Sequence, residues 1–256
     1  MSALTNNRVF QIAAEFWHSA NIIPVYPLQV SDLEQAAFLL YPVNIIKLSQ
    51  LTLSAINQWL AAHNFYPLSA IEDKQLFGLL FVHKGHAFVF IDGTTGVKEQ
   101  LFTLSHELAH YILEIDRPRK QAIAQHGPDM ADVFDGLRQP NVSEQLAGIV
   151  SRVGVRPYLH LLEKPEMDSE SRWNVWQAEN TADALAWELL APEYLVKEKL
   201  LHKGILLRFN ELKQFLPILL SESFQLPDAI AKLYANKLTY RWTKGGPSVA
   251  EWLGMT

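Results

Sequence analysis

The stretch QLFTLSHELAHYILEID, residues 100–116, constrains this chain more than any other. Its apolar positions (Leu101, Phe102, Leu104, Leu108, Ile112 and Leu113) run nearly all round a helix, so the segment is built for burial. Yet the same run carries His106, Glu107 and His110. Polar groups taken into an apolar interior are costly without partners, so the fold has to supply some. Residues four apart share a helix face, so both imidazoles can reach one ion. Glu107, about 100° further round, can reach a water on that ion without being a ligand itself.

His-Glu-x-x-His on a helix is the arrangement found in zinc hydrolases. Neutral imidazoles leave the ion its positive charge, the bound water becomes acidic near pH 7, and the adjacent carboxylate can move its proton. The rest of the composition narrows the alternatives. With no cysteine in 256 residues, disulfides, thiolate catalysis and cysteine-based zinc sites are excluded. Lys and Arg are scattered in a chain of net charge −5, so direct nucleic-acid binding is not expected. The N-terminus lacks a basic start followed by an apolar block, and no apolar run approaches the ~20 residues that span a bilayer. A cytoplasmic protein with no membrane contact is expected.

Along the chain, residues 7–20 have the spacing of an amphipathic helix, broken afterwards by Pro24 and Pro27. A second helix is expected over 30–41, with Ser31 as its N-cap, and a long one over 44–63, interrupted near Thr52. A helix-turn-helix over 30–62 is conceivable, but Lys47 is its only Lys or Arg. Residues 78–92 read as a β-hairpin turning at Lys84-Gly85, followed by the turn Asp92–Gly96. Residues 114–177 are irregular and carry five prolines, with one helix near 142–153. A strong helix is expected over 178–190, another starting at Pro192, and a late one beginning near Asp228. The domains expected are an N-terminal helical region (1–70), a catalytic-type domain (71–240) with an insertion at 114–177, and a C-terminal tail (241–256).

A catalytic metal needs a third protein ligand. Glu114 lies on the same straight helix as the histidines, which disfavours it; Asp116 would need a glycine at Leu113 to turn the chain; His126 and Asp129 would have to fold back. Glu179 fits best: it starts a second helix in which Ala182 and Ala186 allow close approach to a neighbour. Asp183, one turn later on the same face, can accept a hydrogen bond from the far ring nitrogen of a ligand histidine. Oxyanion stabilisers stay open by residue type alone, among Tyr111, His126, His160 and Arg172.

Taken together, LFTLSHELAHYIL and AENTADALAWELLAP resemble the ImmA/IrrE metallo-endopeptidases, whose pattern is Phe-Thr-Leu before His-Glu-Leu-x-His, then Glu-x-x-Ala-Asn/Asp and Leu-Leu-x-Pro. The matching positions are Phe102 to Leu104, His106 to His110, Glu179, Ala182, Asp183, Leu189, Leu190 and Pro192. The resemblance implies zinc on His106, His110 and Glu179, with Glu107 as catalytic base. It implies a mostly helical, zincin-like α+β fold with a small antiparallel sheet packed on the His-Glu-x-x-His helix. It further implies cleavage of a protein partner such as a helix-turn-helix repressor. A regulatory binding module of the toxin–antitoxin kind, keeping the zinc fold with little proteolysis, is the alternative. Two departures stand out. Sixty-eight residues separate His110 from Glu179, more than the family usually has, and Ala109 replaces the usual glycine before the second histidine.

Overall fold

The computed structural model describes residues 3–68, 73, 75–141, 158–159 and 169–246; the helix expected near 142–153 lies outside them. The chain is mostly helical with one small sheet. In order come α1 (Ala3–Ser19), α2 (Val30–Leu40), β1 (Val43–Leu48), α3 (Leu53–Ala62), β2 (Gly78–His83) and β3 (His86–Asp92). They are followed by α4 (Val97–His110), a π-helical turn (Tyr111–Asp116), α5 (Arg117–His126), α6 (Met130–Phe134) and β4 (Tyr158–Leu159). Then come α7 (Ser169–Leu190), α8 (Glu193–His202), α9 (Phe209–Ser223) and α10 (Asp228–Trp242). Among the described residues, no helix is long and apolar enough to cross a membrane.

The chain divides into two compact units, Leu33–Asp183 and Met1–Asp32 with Ala184–Thr256. In the first, the sheet has the order β1-β3-β2-β4. Strands β2 and β3 form the expected hairpin. Lys84 (φ 49°) and Gly85 (φ 77°) both take left-handed conformations, as a two-residue type I′ turn requires. Glycine at 85 is needed for space as well, since a Cβ there would lie 2.4 Å from Asp135 Oδ1. The sheet is mixed, not purely antiparallel, because β1 runs parallel to β3 with Val43 opposite Ala87.

That strand also corrects the helix expected over 44–63. VNIIKL is a short, β-branched apolar run, and in so few residues helical and extended spacing cannot be told apart. The helix begins only at Leu53, where the Thr52 side chain accepts a hydrogen bond from the Ala55 amide at 3.2 Å. With β1 between α2 and α3, residues 30–62 do not form a helix-turn-helix. Helix α2 starts at Val30, so Ser31 lies inside it and does not cap it. The Asp32 carboxylate instead reaches back to the Gln29 amide at 2.8 Å.

Side chains alternate across the sheet. One face sends Leu79, Phe81 and Phe90 into a cluster with Leu51, Leu53, Ile56 and Leu60. The opposite face, with Leu80, Val89 and Ile91, turns to α4. Each such side chain is fully buried and contributes about 1.5–3 kcal/mol on leaving water. The turn from β3 into α4 is held by Asp92, whose carboxylate accepts from Thr94 (2.9 Å from its amide, 2.6 Å from its hydroxyl) and from Gln75 at 3.0 Å. Residues 114–126, expected to be irregular, continue the helical path of α4 through the π turn and α5. Arg119 clasps Asp135 at 2.8 and 3.1 Å beside the small core of Ala122, Met130, Val133 and Phe134.

In the other unit α1 buries Val9, Ile12, Ala13, Phe16 and Trp17, the face its spacing predicts. Helices α9 and α10 pack together, α9 carrying an unexpected internal proline, Pro217. Pro192 stands one residue ahead of α8. Around that corner the Tyr26 hydroxyl donates to the Leu189 carbonyl (3.2 Å), the Tyr234 hydroxyl donates to the Ala191 carbonyl (3.3 Å), and the Glu188 carboxylate accepts from the Glu193 amide.

Candidate metal centre

Helix α4 lies against β2 and β3, with Leu101, Leu104, Leu108 and Ala109 fully buried. This seating sends Glu107 and His110 inward as well, 4% and 0% exposed. Gly78, the first residue of β2, lies close against this helix. A Cβ at that position would lie 2.4 Å from Thr103 Cγ2 and 2.8 Å from Glu107 Oε1. The missing side chain therefore leaves room for Thr103 and Glu107.

His106 and His110, one turn apart, bring their Nε2 atoms to 3.1 Å from each other. Glu179 reaches in from α7, its Oε2 3.5 Å from His106 Nε2 and its Oε1 3.7 Å from His110 Nε2. These three residues can hold a metal ion, with one ligand atom from each lying within 4.8 Å of the others. Ligands about 2.0–2.1 Å from a tetrahedral ion stand about 3.3 Å apart, and the separations of 3.1, 3.5 and 3.7 Å bracket that value.

The outer ring nitrogens support the same reading. His106 Nδ1 lies 3.1 Å from Asp183 Oδ1, and His110 Nδ1 lies 2.6 Å from Glu114 Oε1. A carboxylate accepts only, so each Nδ1 carries a proton, and whenever a ring is neutral its Nε2 turns a lone pair inward. Two lone pairs facing each other at this distance repel unless a cation or a proton lies between them. Glu107 adds a further demand, since its Oε2 is buried and has no hydrogen-bond partner among the described residues. A buried carboxylate oxygen left so is expensive, and a polar group brought by a ligand in the cleft would satisfy it.

The electrostatics follow from the crowd of acids. Burial works against a charged imidazole at His106, but the Asp183 and Glu179 carboxylates, with Glu107 nearby, outweigh it and push the ring up to about 10. At His110 burial opposes charge in the same way, and Glu114 and Glu179 again prevail, raising it. These are properties of the ion-free site, which attracts positive charge.

Each residue singled out in the sequence can now be placed. His106, His110 and Glu179 converge, Glu107 lies beside them, and Asp183 meets His106. Glu114 sits on the Nδ1 side of His110, opposite the ligand cluster. Asp116 pairs with Lys120 at 2.8 Å, and His126 and Asp129 are exposed. Tyr111 is buried edge-on against Tyr41. His160 and the side chain of Arg172 lie outside the described residues. Sequence reasoning missed two features: the partnership of Glu114 with His110, which the four-residue spacing could have signalled, and the vacancy at Gly78, which no local pattern marks. Comparisons with protein-family models, with curated proteins and with solved structures find no match for this chain.

Proposed function

We propose that this chain is a cytoplasmic zinc-dependent endopeptidase of the ImmA/IrrE type, with a zincin-like catalytic fold. The observation that carries the reading is the convergence of His106, His110 and Glu179 around one point, with the Glu107 carboxylate buried alongside. Two imidazoles and one carboxylate suit zinc and leave a fourth position for water or substrate. Zinc, when bound, supplies a Lewis acid that polarises the scissile carbonyl and acidifies the attacking water.

The chain's own residues do the rest. Glu107 takes the proton of the attacking water at Oε2, the oxygen that lacks a hydrogen-bond partner among the described residues, and delivers it to the leaving amine nitrogen. Asp183 holds the His106 ring so that Nε2 stays directed inward. The substrate we propose is a regulatory protein such as a helix-turn-helix repressor, on the strength of the paired motifs at 102–110 and 179–192.

Glu107→Gln tests the mechanism. The variant is expected to keep about one zinc per chain by metal analysis and to lose cleavage by at least about 100-fold, the usual worth of a general base. Undiminished cleavage would falsify the role given to Glu107. A wild-type chain that binds zinc and a repressor partner yet leaves it intact would point instead to the regulatory binding module.

A further inference from the structure

We propose that Glu114 is a positioning residue of the metal centre: its carboxylate accepts the Nδ1 proton of His110 and thereby fixes the tautomer and ring plane that turn Nε2 towards the other ligands. The inference rests on the metal reading above and adds a residue that the His-Glu-x-x-His pattern does not contain.

Three observations carry it. His110 is fully buried, so solvent cannot satisfy its outer nitrogen. The Nδ1–Oε1 distance of 2.6 Å lies just below the usual N–H···O range, on the side to which a charged acceptor shortens such a bond. The opposite nitrogen of the same ring is the one that lies 3.1 Å from His106 Nε2 and 3.7 Å from Glu179 Oε1. A ring held in this way on one side has a single way to face the other. Without an acceptor at Nδ1, a neutral imidazole can move its proton to Nε2, where an N–H points into the site and cannot ligate.

The local backbone brings Glu114 to this place. Directly after His110 the chain enters the π-helical turn Tyr111–Asp116, a wider winding that is frequent at functional sites. Glu114 lies within it, four residues after the histidine it holds. The two metal histidines are therefore oriented by different means. His106 is held from α7 through Asp183, 77 residues away, while His110 is held from its own helical run.

Zinc affinity, measured by competition against a chromophoric chelator, separates the outcomes. Glu114→Ala is expected to bind zinc about 10–100-fold more weakly than wild type, the usual effect of losing such an outer partner. Glu114→Gln keeps an acceptor oxygen and is expected to recover most of that loss. The visible spectrum of the cobalt-substituted protein should change in Glu114→Ala and return in Glu114→Gln. Undiminished zinc affinity in a folded Glu114→Ala, or a Gln variant as weak as the Ala variant, overturns the proposal. If Glu114→Ala does not fold, nitrogen NMR of the wild-type imidazoles, at a pH where His110 is neutral, decides: its single proton at Nδ1 upholds the role, and at Nε2 ends it. A wild-type chain that takes up no zinc sinks the metal reading, and the tautomer of His110 still tests the hold of Glu114.

Discussion

His106 shows how far a single side chain can be driven by its neighbours. In the ion-free protein its acidic surroundings push it up to about 10, well above the ordinary 6.5. The sign of the consequence is fixed. A raised imidazole stabilises the fold in full below about pH 6.5, and that contribution is lost as pH climbs through about 10. Zinc needs the neutral ring, so its binding must expel the proton. Apparent zinc affinity should therefore rise by at least about tenfold per pH unit between about 7 and 9, with about one proton released per ion from His106 and a further share from His110, which is raised as well. Calorimetry in buffers of different ionisation enthalpy reads both, and an affinity flat across that range would contradict the charge state given to His106. The residues of this site were unequally visible in the sequence. His106, Glu107 and His110 were legible because their spacing is itself the geometry, and Glu179 because a second acidic helix is needed to complete the set. Glu114 was visible only as a disfavoured ligand, since its role depends on which nitrogen of His110 it meets.

The elements were legible where one physical signal acted alone. The α1 stripe, the hairpin at Lys84-Gly85 and the helix carrying His106 each followed from spacing or turn chemistry. Strand β1 was not, because IIKL fits either period and only its pairing with β3 decides between them. Helix α7 begins at Ser169, well before the residue at which its apolar stripe becomes regular. The contact between β2 and α4 belongs to neither element alone. It depends on position 78 having no side chain, so Gly78→Ala is a test at this scale. The added methyl must displace Thr103 or Glu107, at a cost of about 1–3 kcal/mol if the packing resists. We expect a folded variant that still takes up zinc but cleaves at least about tenfold more slowly, because Glu107 is pushed from its place. Zinc content and kcat measured on one preparation check this; normal turnover would mean that the approach of the strand does not position Glu107.

For the whole molecule, the expected α+β class holds, while the mixed sheet and the division into two units depend on contacts between distant segments that no local pattern encodes. The candidate metal site lies within Leu33–Asp183 and draws its ligands from α4 and α7, across 68 intervening residues. At free zinc about 100-fold above its dissociation constant, binding adds about 2.7 kcal/mol to the stability of that unit. Chelation should then lower its melting temperature by about 5–10 °C. Glu107→Gln should show the same drop, because Glu107 is no ligand, whereas Glu179→Ala should start low and change little. Calorimetric melts with and without chelator read all three. The two helices that supply the candidate ligands are far apart in sequence, and a chain without cysteine has no disulfide with which to tie them. Zinc bound as proposed would be a reversible tie between them, one whose tightness follows the supply of metal around it.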